Sequence, residues 1–214
     1  MKYYDYCVFA SPEGLYAKAT ALGWGGLCIL SKEAQAAASA NGLDIVRGLV
    51  IETQGPQEAR KLAARNRASH EVIVVKGLSE DVNREAVETP EVDILVPAPK
   101  VRMDFIMARL AQKSSVSIGF DFGQLLHSSG EERGHVFMTM KENARLAKRF
   151  RANIVLTCGA LAAWDLRAPS EIEAFGRVLG FEPKSIRHAM SGALAARNRK
   201  KLGGGWVMPG VEVE

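Results

Sequence analysis

Ile154-Val155-Leu156-Thr157-Cys158-Gly159-Ala160, continued by Trp164-Asp165-Leu166-Arg167-Ala168-Pro169, is the stretch from which the rest of the chain can be read. A short β-branched and aliphatic run that leaves through Thr-Cys-Gly predicts a strand buried on both faces, as in a parallel sheet covered by helices. The loop after it then lies at the C-terminal end of the strand, the functional rim wherever such strands close into a barrel. Pro169 fixes φ for the first turn of a following helix. The plainest reading of the loop is an ordinary strand-to-helix turn in which Asp165 and Arg167 pair locally.

The same grammar repeats outward from this strand. Strands are expected at Tyr4–Phe9, Trp24–Leu30, Leu43–Glu52, His70–Lys76, Val92–Val96, Val116–Phe122 and Asn153–Thr157. Helices are expected at Pro12–Leu22, Lys32–Ala40, Pro56–Arg67, Leu78–Val87, Met103–Lys113, Val136–Phe150, Ser170–Leu179 and Lys184–Arg199, with a loop or short helix over Leu125–Gly130. The Val-Ile-Val-Val core of the fourth strand suits a sheet covered on both faces, and Asn41-Gly42 suits a helix C-cap. Alternating strands and helices predict parallel βα units. The expected fold is therefore α/β and TIM-barrel-like: about seven parallel strands surrounded by helices, in a single domain over residues 1–202. A doubly wound open sheet is the second choice. Residues 203–214 form a C-terminal tail behind Gly203-Gly204-Gly205, either a frayed end or a docking peptide.

The 214 residues are 47% hydrophobic, enough for one sizeable core, and carry a net charge of only +4. With so mild a balance, a nucleic-acid reading depends on where the charge sits. No apolar run reaches the ~20 residues that cross a bilayer, and the N-terminus lacks a signal-peptide core, so no membrane contact and a cytoplasmic location are expected. Cys7, Cys28 and Cys158 sit in apolar runs without a Cys-x-x-Cys pair, as reduced core residues do.

Protein-borne chemistry is hard to find. The four histidines, His70, His127, His135 and His188, include no pair at i, i+2 or i, i+4, and each reads as a surface or capping residue. Where barrel phosphoesterases place a His-x-His, the first strand has Tyr6-Cys7-Val8-Phe9. Phosphate-binding glycine loops are missing, and Gly23-Trp24-Gly25-Gly26 reads as close packing inside a strand context. Ser128 and Cys158 have no visible base. No catalytic residue, no metal site and no protein-bound cofactor are expected. The competing reading is a divergent metal-dependent phosphoesterase-like barrel enzyme with ligands drawn from Asp5, Glu52, Asp93, Asp121 and a His. The plainer role of those strand-end acids is to cap following helices.

Positive charge is clustered instead. Arg133, Lys141, Arg145, Lys148, Arg149 and Arg151 precede the seventh strand, and Lys184, Arg187, Arg197, Arg199, Lys200 and Lys201 occupy the last helical segment without an acid among them. A third group, Lys100, Arg102, Arg109 and Lys113, follows the fifth strand. Groups so gathered form either solvated helix faces or a surface that neutralises phosphates and releases counterions, from which the acidic segment 80–93, with Arg84 its only cation, would be repelled.

Val92-Asp93-Ile94-Leu95-Val96-Pro97, Ala108-Arg109-Leu110-Ala111, Val116-Ser117-Ile118-Gly119-Phe120, Leu125-Leu126 and above all Thr157-Cys158-Gly159-Ala160 with Trp164-Asp165-Leu166-Arg167-x-Pro169 resemble the ribonuclease P protein component 3 family. The resemblance runs from about Tyr4 to about Arg199. It implies a barrel without a metal site, acting in the ribonucleoprotein that removes the 5′ leader of precursor tRNA. The Mg²⁺-dependent active centre then lies in the RNA subunit. It also implies a small α/β partner subunit, two of each chain making a heterotetramer. Carried onto this sequence, the RNA contacts fall on Arg167, Lys148, Arg187 and either Lys100 or Arg102. Arg84, Arg145 and Arg149 are added as neighbouring cations. The loop after the fifth strand departs from the family pattern: it is shortened and reads Asp104-Phe105 where an Asn-His or Asp-His pair is usual.

Overall fold

The computed structural model describes residues 2–9, 14–31 and 41–203, together with the backbone of 206–208 and 211–212. The helix expected at Lys32–Ala40, and the first residues of that at Pro12–Leu22, lie outside the described residues.

Seven strands, β1 (Tyr4–Val8), β2 (Gly26–Ser31), β3 (Asp44–Glu52), β4 (Val72–Gly77), β5 (Ile94–Pro97), β6 (Ser117–Asp121) and β7 (Ile154–Thr157), form one sheet in sequence order. Every pairing in it is parallel. The sheet curls until β7 meets β1. There the Phe9 N–H donates to the Ala160 carbonyl at 2.8 Å, and the Cys158 N–H donates to the Asp5 carboxylate at 3.0 Å. The result is a nearly closed TIM-barrel-like α/β fold.

Two-residue alternation along each strand sorts the side chains into two layers. On β4, Val72 and Val74 point into the barrel beside Tyr6, Cys28, Val46 and Val155. Ile73 and Val75 point outward, into the layer shared with Ala59, Ala63, Val82 and Met107 of the surrounding helices. Both layers are apolar, which explains why the strands read as continuous apolar runs rather than as alternating ones. The three cysteines are buried free thiols, as expected. Close packing at the second strand also holds: a Cβ on Gly26 would collide with the Tyr4 ring.

The helices are α1 (Leu15–Leu22), α2 (Pro56–Asn66), α3 (Glu80–Glu88), α4 (Phe105–Ser114), α5 (Gly123–Leu126), α6 (Gly130–Phe150), α7 (Pro169–Val178), α8 (Pro183–Ala189) and α9 (Ala193–Leu202). Ser79 caps α3 through the Val82 N–H, and Asp104 caps α4 through the Met107 N–H. Two differences from the sequence reading matter. Helix α6 begins at Gly130, six residues before Val136, with Glu131 and Glu132 in a first turn whose N–H dipoles favour them. Residues 184–199 are not one helix but two, broken at Met190-Ser191-Gly192. The break is fixed by β1: the Tyr4 N–H donates to Met190 O at 2.7 Å, and the Tyr6 hydroxyl to Ser191 O at 2.7 Å.

The break turns α9 across the N-terminal end of the barrel. Ala195 enters the interior layer, and buried Asn198 donates to Glu71 O and to Asp93, both at 2.8 Å. Arg199 forks onto Asp44 at 2.7 and 2.8 Å and also bonds Glu71, while Arg197 and Arg67 reach Asp93 at 3.4 and 2.6 Å. Arg197 and Arg199 therefore close the barrel floor and are not part of a phosphate-binding run. The acids that neutralise them come from strands β3 to β5, far away in sequence. For the same reason Asp93 does not belong to an exposed acidic patch. In the tail, Trp206–Met208 and Val211–Glu212 pair as an antiparallel two-stranded ladder.

Candidate nucleic-acid interface

A group of exposed cationic residues lies at the end of α6. Its C-terminus is stopped by Arg151 in the left-handed conformation (φ 53), and the Arg151 N–H donates to Lys148 O. Lys148 and Arg151 then face α8, on which Lys184 and His188, four residues apart, share one side. Between them opens a cleft of about 450 Å³ with Ala152, Ile154 and Phe181 in its lining. Glu182 is its single acid. Lys148 is held by a hydrogen bond from Nζ to Gly180 O at 2.9 Å. Three cations and an imidazole above an apolar floor suit a sugar-phosphate chain, phosphates against the cations and a ribose against the carbon surface.

Of the residues expected from sequence, Lys148 lies in this cleft. Arg187 is exposed on α8, in the field of the Tyr3–Glu173 pair. Arg145 and Arg149 are exposed on α6, with Arg149 over the Phe150 ring at 5.6 Å. Arg167 lies elsewhere, on the rim at the opposite end of β7. The remaining three are each engaged by a carboxylate: Lys100 by Glu132 at 3.3 Å, Arg102 by Glu142 at 3.2 Å and Arg84 by Asp104 at 2.9 Å. These pairs are solvent-exposed and weak. Asp104, in the shortened loop, thus holds Arg84 as well as capping α4. Sequence reasoning left Arg151, Lys184 and His188 out of the site. Their charges were visible in the basic runs, but the packing of α8 against α7 and β7, which sets Lys184 and His188 across the cleft from α6, was not.

The local Asp165–Arg167 pair does not form. Asp165 closes a 3₁₀ turn (Ala163–Asp165) by accepting the N–H groups of Leu161 and Ala162 at 3.0 and 3.1 Å, and its other neighbour is His127 at 3.2 Å. Arg167 instead donates to the carbonyls of Trp164 and Leu166 at 2.8 and 3.2 Å. Its own N–H meets the Cys158 Sγ at 3.4 Å, and its carbonyl accepts the Trp24 indole N–H at 2.9 Å.

The four strand-end acids do not converge, nor do they all cap helices. Asp5 is fully buried at the β1–β7 seam, where it accepts the Cys7 and Cys158 N–H groups and the Thr157 hydroxyl. Asp93 is at the barrel floor. Glu52 and Asp121 line a pocket of about 190 Å³ at the barrel mouth, with Lys76 3.5 Å from Glu52 and 4.6 Å above the Phe9 ring. Burial pushes the Asp121 carboxyl up to about 6, against the hydrogen bond it accepts from the Gly123 N–H. Among the described residues no three His, Cys, Asp or Glu side chains form a metal-holding group. Of the two roles expected for His70, surface or capping, it has the second: it is 2% exposed, with Nδ1 against the O of Asn66, the last residue of α2. No described helix is long and apolar enough to cross a membrane.

Comparison with known proteins places this geometry. The sequence model of the family described as RNase P subunit p30 matches residues 11–201. Ribonuclease P protein component 3 of Methanosarcina mazei is 33% identical over 99% of this chain and 95% of its own length. The protein of the same name from Haloarcula marismortui is 30% identical over 85% of this chain and 79% of its own. A chain in a cryo-EM structure of archaeal ribonuclease P with mature tRNA superposes with a TM-score of 0.86 at 24% identity, covering 98% of this chain and 97% of that one. A prolidase bound to N-methylphosphonate-L-proline superposes with a TM-score of 0.62 at 10% identity, covering 99% of this chain and 77% of that one, a likeness of barrel fold alone. The barrel, its sequence-ordered strands and the length of the matches agree: the chain belongs to the RNase P subunit p30 family, the barrel protein subunits of ribonuclease P.

Proposed function

We propose that this protein binds and orders the catalytic RNA of an archaeal-type ribonuclease P, the ribonucleoprotein that cleaves the 5′ leader from precursor tRNA. The observation that carries the reading is the cleft between α6 and α8. There Lys148, Arg151, Lys184 and His188 stand around an apolar floor with Glu182 as the one acid. Fixed cations substitute for part of the diffuse counterion cloud that two close RNA backbones require, so the RNA reaches its active arrangement at lower Mg²⁺. In this proposal Mg²⁺ and the cleavage chemistry belong to the RNA, and the protein contributes no catalytic residue.

Arg167 on the rim and Arg187 on α8 extend the RNA surface in two directions. Lys100, Arg102 and Arg84 join it by exchanging their carboxylate partners for phosphates, and Arg145 and Arg149 provide further charge along α6. The family resemblance supports a small α/β partner subunit, a heterotetramer of two copies of each chain, only indirect contact with precursor tRNA and a cytoplasmic location.

The test is a salt titration of affinity for the catalytic RNA. Lys148→Glu and Lys184→Glu should each weaken binding and flatten the slope of log K against log salt by roughly 0.7 to 0.9 per lost phosphate contact. Unchanged slopes in both variants would remove the cleft from the interface.

A further inference from the structure

The loop between β7 and α7 presents a tryptophan for which the fold has no internal use. Trp164 is 81% exposed, more than any other large apolar side chain among the described residues. The backbone carrying it is nevertheless tied down at every step. Asp165 accepts the N–H groups of Leu161 and Ala162, and Arg167 Nη1 donates to the carbonyl of Trp164 itself at 2.8 Å. Trp24, buried at 4% exposure, bonds the Arg167 carbonyl from below, and the buried Cys158 thiol in the barrel wall takes the Arg167 N–H. The loop ends at Pro169, the first residue of α7. An indole held in water on a preorganised turn loses little conformational freedom when something covers it.

We infer that Trp164 is a stacking platform for an unpaired nucleobase of the RNA, with the Arg167 guanidinium beside it to receive that nucleotide's phosphate. One short loop thus offers a broad π face and a permanent cation, the two groups by which a single nucleotide is recognised without sequence readout. Leu161, 56% exposed, widens the apolar surface next to the ring. Single-stranded loops and bulges, whose bases are free of pairing, are the parts of an RNA that fit it. This inference rests on the RNA-binding reading above and adds to it a contact at the end of β7 opposite the cationic cleft.

The experiment measures affinity of the full-length protein for the ribonuclease P catalytic RNA across a salt series, for wild type, Trp164→Ala, Trp164→Phe and Lys148→Glu. Loss of one stacked base weakens binding roughly 5- to 150-fold. Trp164→Ala should fall in that range with its salt slope unchanged, because no counterion-releasing charge is lost. Trp164→Phe should recover most of the affinity. In a Trp206→Phe background, where the only other indole is the buried Trp24, fluorescence should be quenched on RNA addition when Trp164 is present and not when it is replaced by Phe. Wild-type affinity in Trp164→Ala, or an equal loss in Trp164→Phe, would overturn the inference. So would RNA affinity that stays intact while Trp164→Ala fails to bind the small partner subunit, which would make the ring a protein contact. Failure of wild type itself to bind the RNA would overturn the underlying reading and this one together. An effect of Lys148→Glu without any of Trp164→Ala would overturn this one alone. Unfolding curves of both Trp164 variants should match wild type, the side chain being outside the core.

Discussion

The carboxylate of Asp5, near the start of the first strand, accepts the N–H of Cys158, just past the end of the seventh, at 3.0 Å. This contact and that of the same carboxylate with the Thr157 hydroxyl close the barrel where a backbone ladder would otherwise be required. Asp5→Ala would strand two buried N–H groups and a hydroxyl, each costing ~1–3 kcal/mol, so a loss of at least about 3 kcal/mol is expected. Thr157→Val should cost about 1–2 kcal/mol. Denaturant midpoints of the two variants check both values. Wild-type midpoints would show that the seam does not depend on this carboxylate.

The floor of the barrel and the cationic cleft should separate cleanly under mutation. Arg199→Ala leaves Glu71 and Asp44 without their shared guanidinium and should destabilise by about 2–4 kcal/mol, while the salt slope of RNA binding stays at its wild-type value. Lys148→Glu should do the reverse. Arg199 holds the Asp44 carboxyl below its ordinary range. A depressed carboxyl contributes stability that is present above the ordinary carboxylate pKa and fades as pH falls through the lowered one. Wild type should therefore lose this contribution on acidification, and Arg199→Ala, already lacking it, should show a shallower acid limb.

Asp121 behaves oppositely. Its carboxyl sits at about 6 in the folded chain against about 3.9 when unfolded, so the native state holds the proton more tightly. That contribution is complete below about pH 4 and is lost as pH rises to about 6. Asp121→Asn, which keeps an acceptor for the Gly123 N–H, should be more stable than wild type by on the order of 1 kcal/mol at pH 7.5 and nearly equal to it at pH 4. Thermal unfolding at the two pH values decides it. A constant difference at both would show that the carboxyl titrates normally.

Gly159 couples the mouth to the seam. Its φ is +60, and a Cβ there would lie against the Asp121 carboxylate. Gly159→Ala should cost at least about 2 kcal/mol, combining left-handed strain with a steric clash, and Asp121→Ala in the same chain should recover the steric part. Additive losses in the double variant would refute the coupling.

Much of this was legible in the sequence because it is local. Apolar runs and their spacing placed all seven strands to within a few residues, and Pro56 and Pro169 marked helix starts. What stayed hidden was non-local. Nothing in Arg197-x-Arg199 says that Asp44, Glu71 and Asp93 await it across the barrel floor, because those acids lie more than a hundred residues away. The break at Met190-Ser191-Gly192 was equally obscure, since it is enforced by β1 and not by a helix-breaking proline. Asp165 and Arg167, two positions apart, looked like natural partners, but the 3₁₀ turn gives the acid two nearer N–H donors and the guanidinium two carbonyls. The candidate RNA surface shows the same divide: Lys148 came from a resemblance, whereas Arg151, Lys184 and His188 needed the placement of α8 across the cleft from the end of α6.

The most direct test of the subunit role is cleavage of precursor tRNA by the catalytic RNA at limiting Mg²⁺. It is run with and without this protein and a small partner subunit, beside the proteins alone. The subunit reading predicts cleavage that requires the RNA and is raised by the protein pair, with the gain reduced in Lys148→Glu. Cleavage by the proteins without RNA, or no gain at any Mg²⁺ concentration, would contradict it.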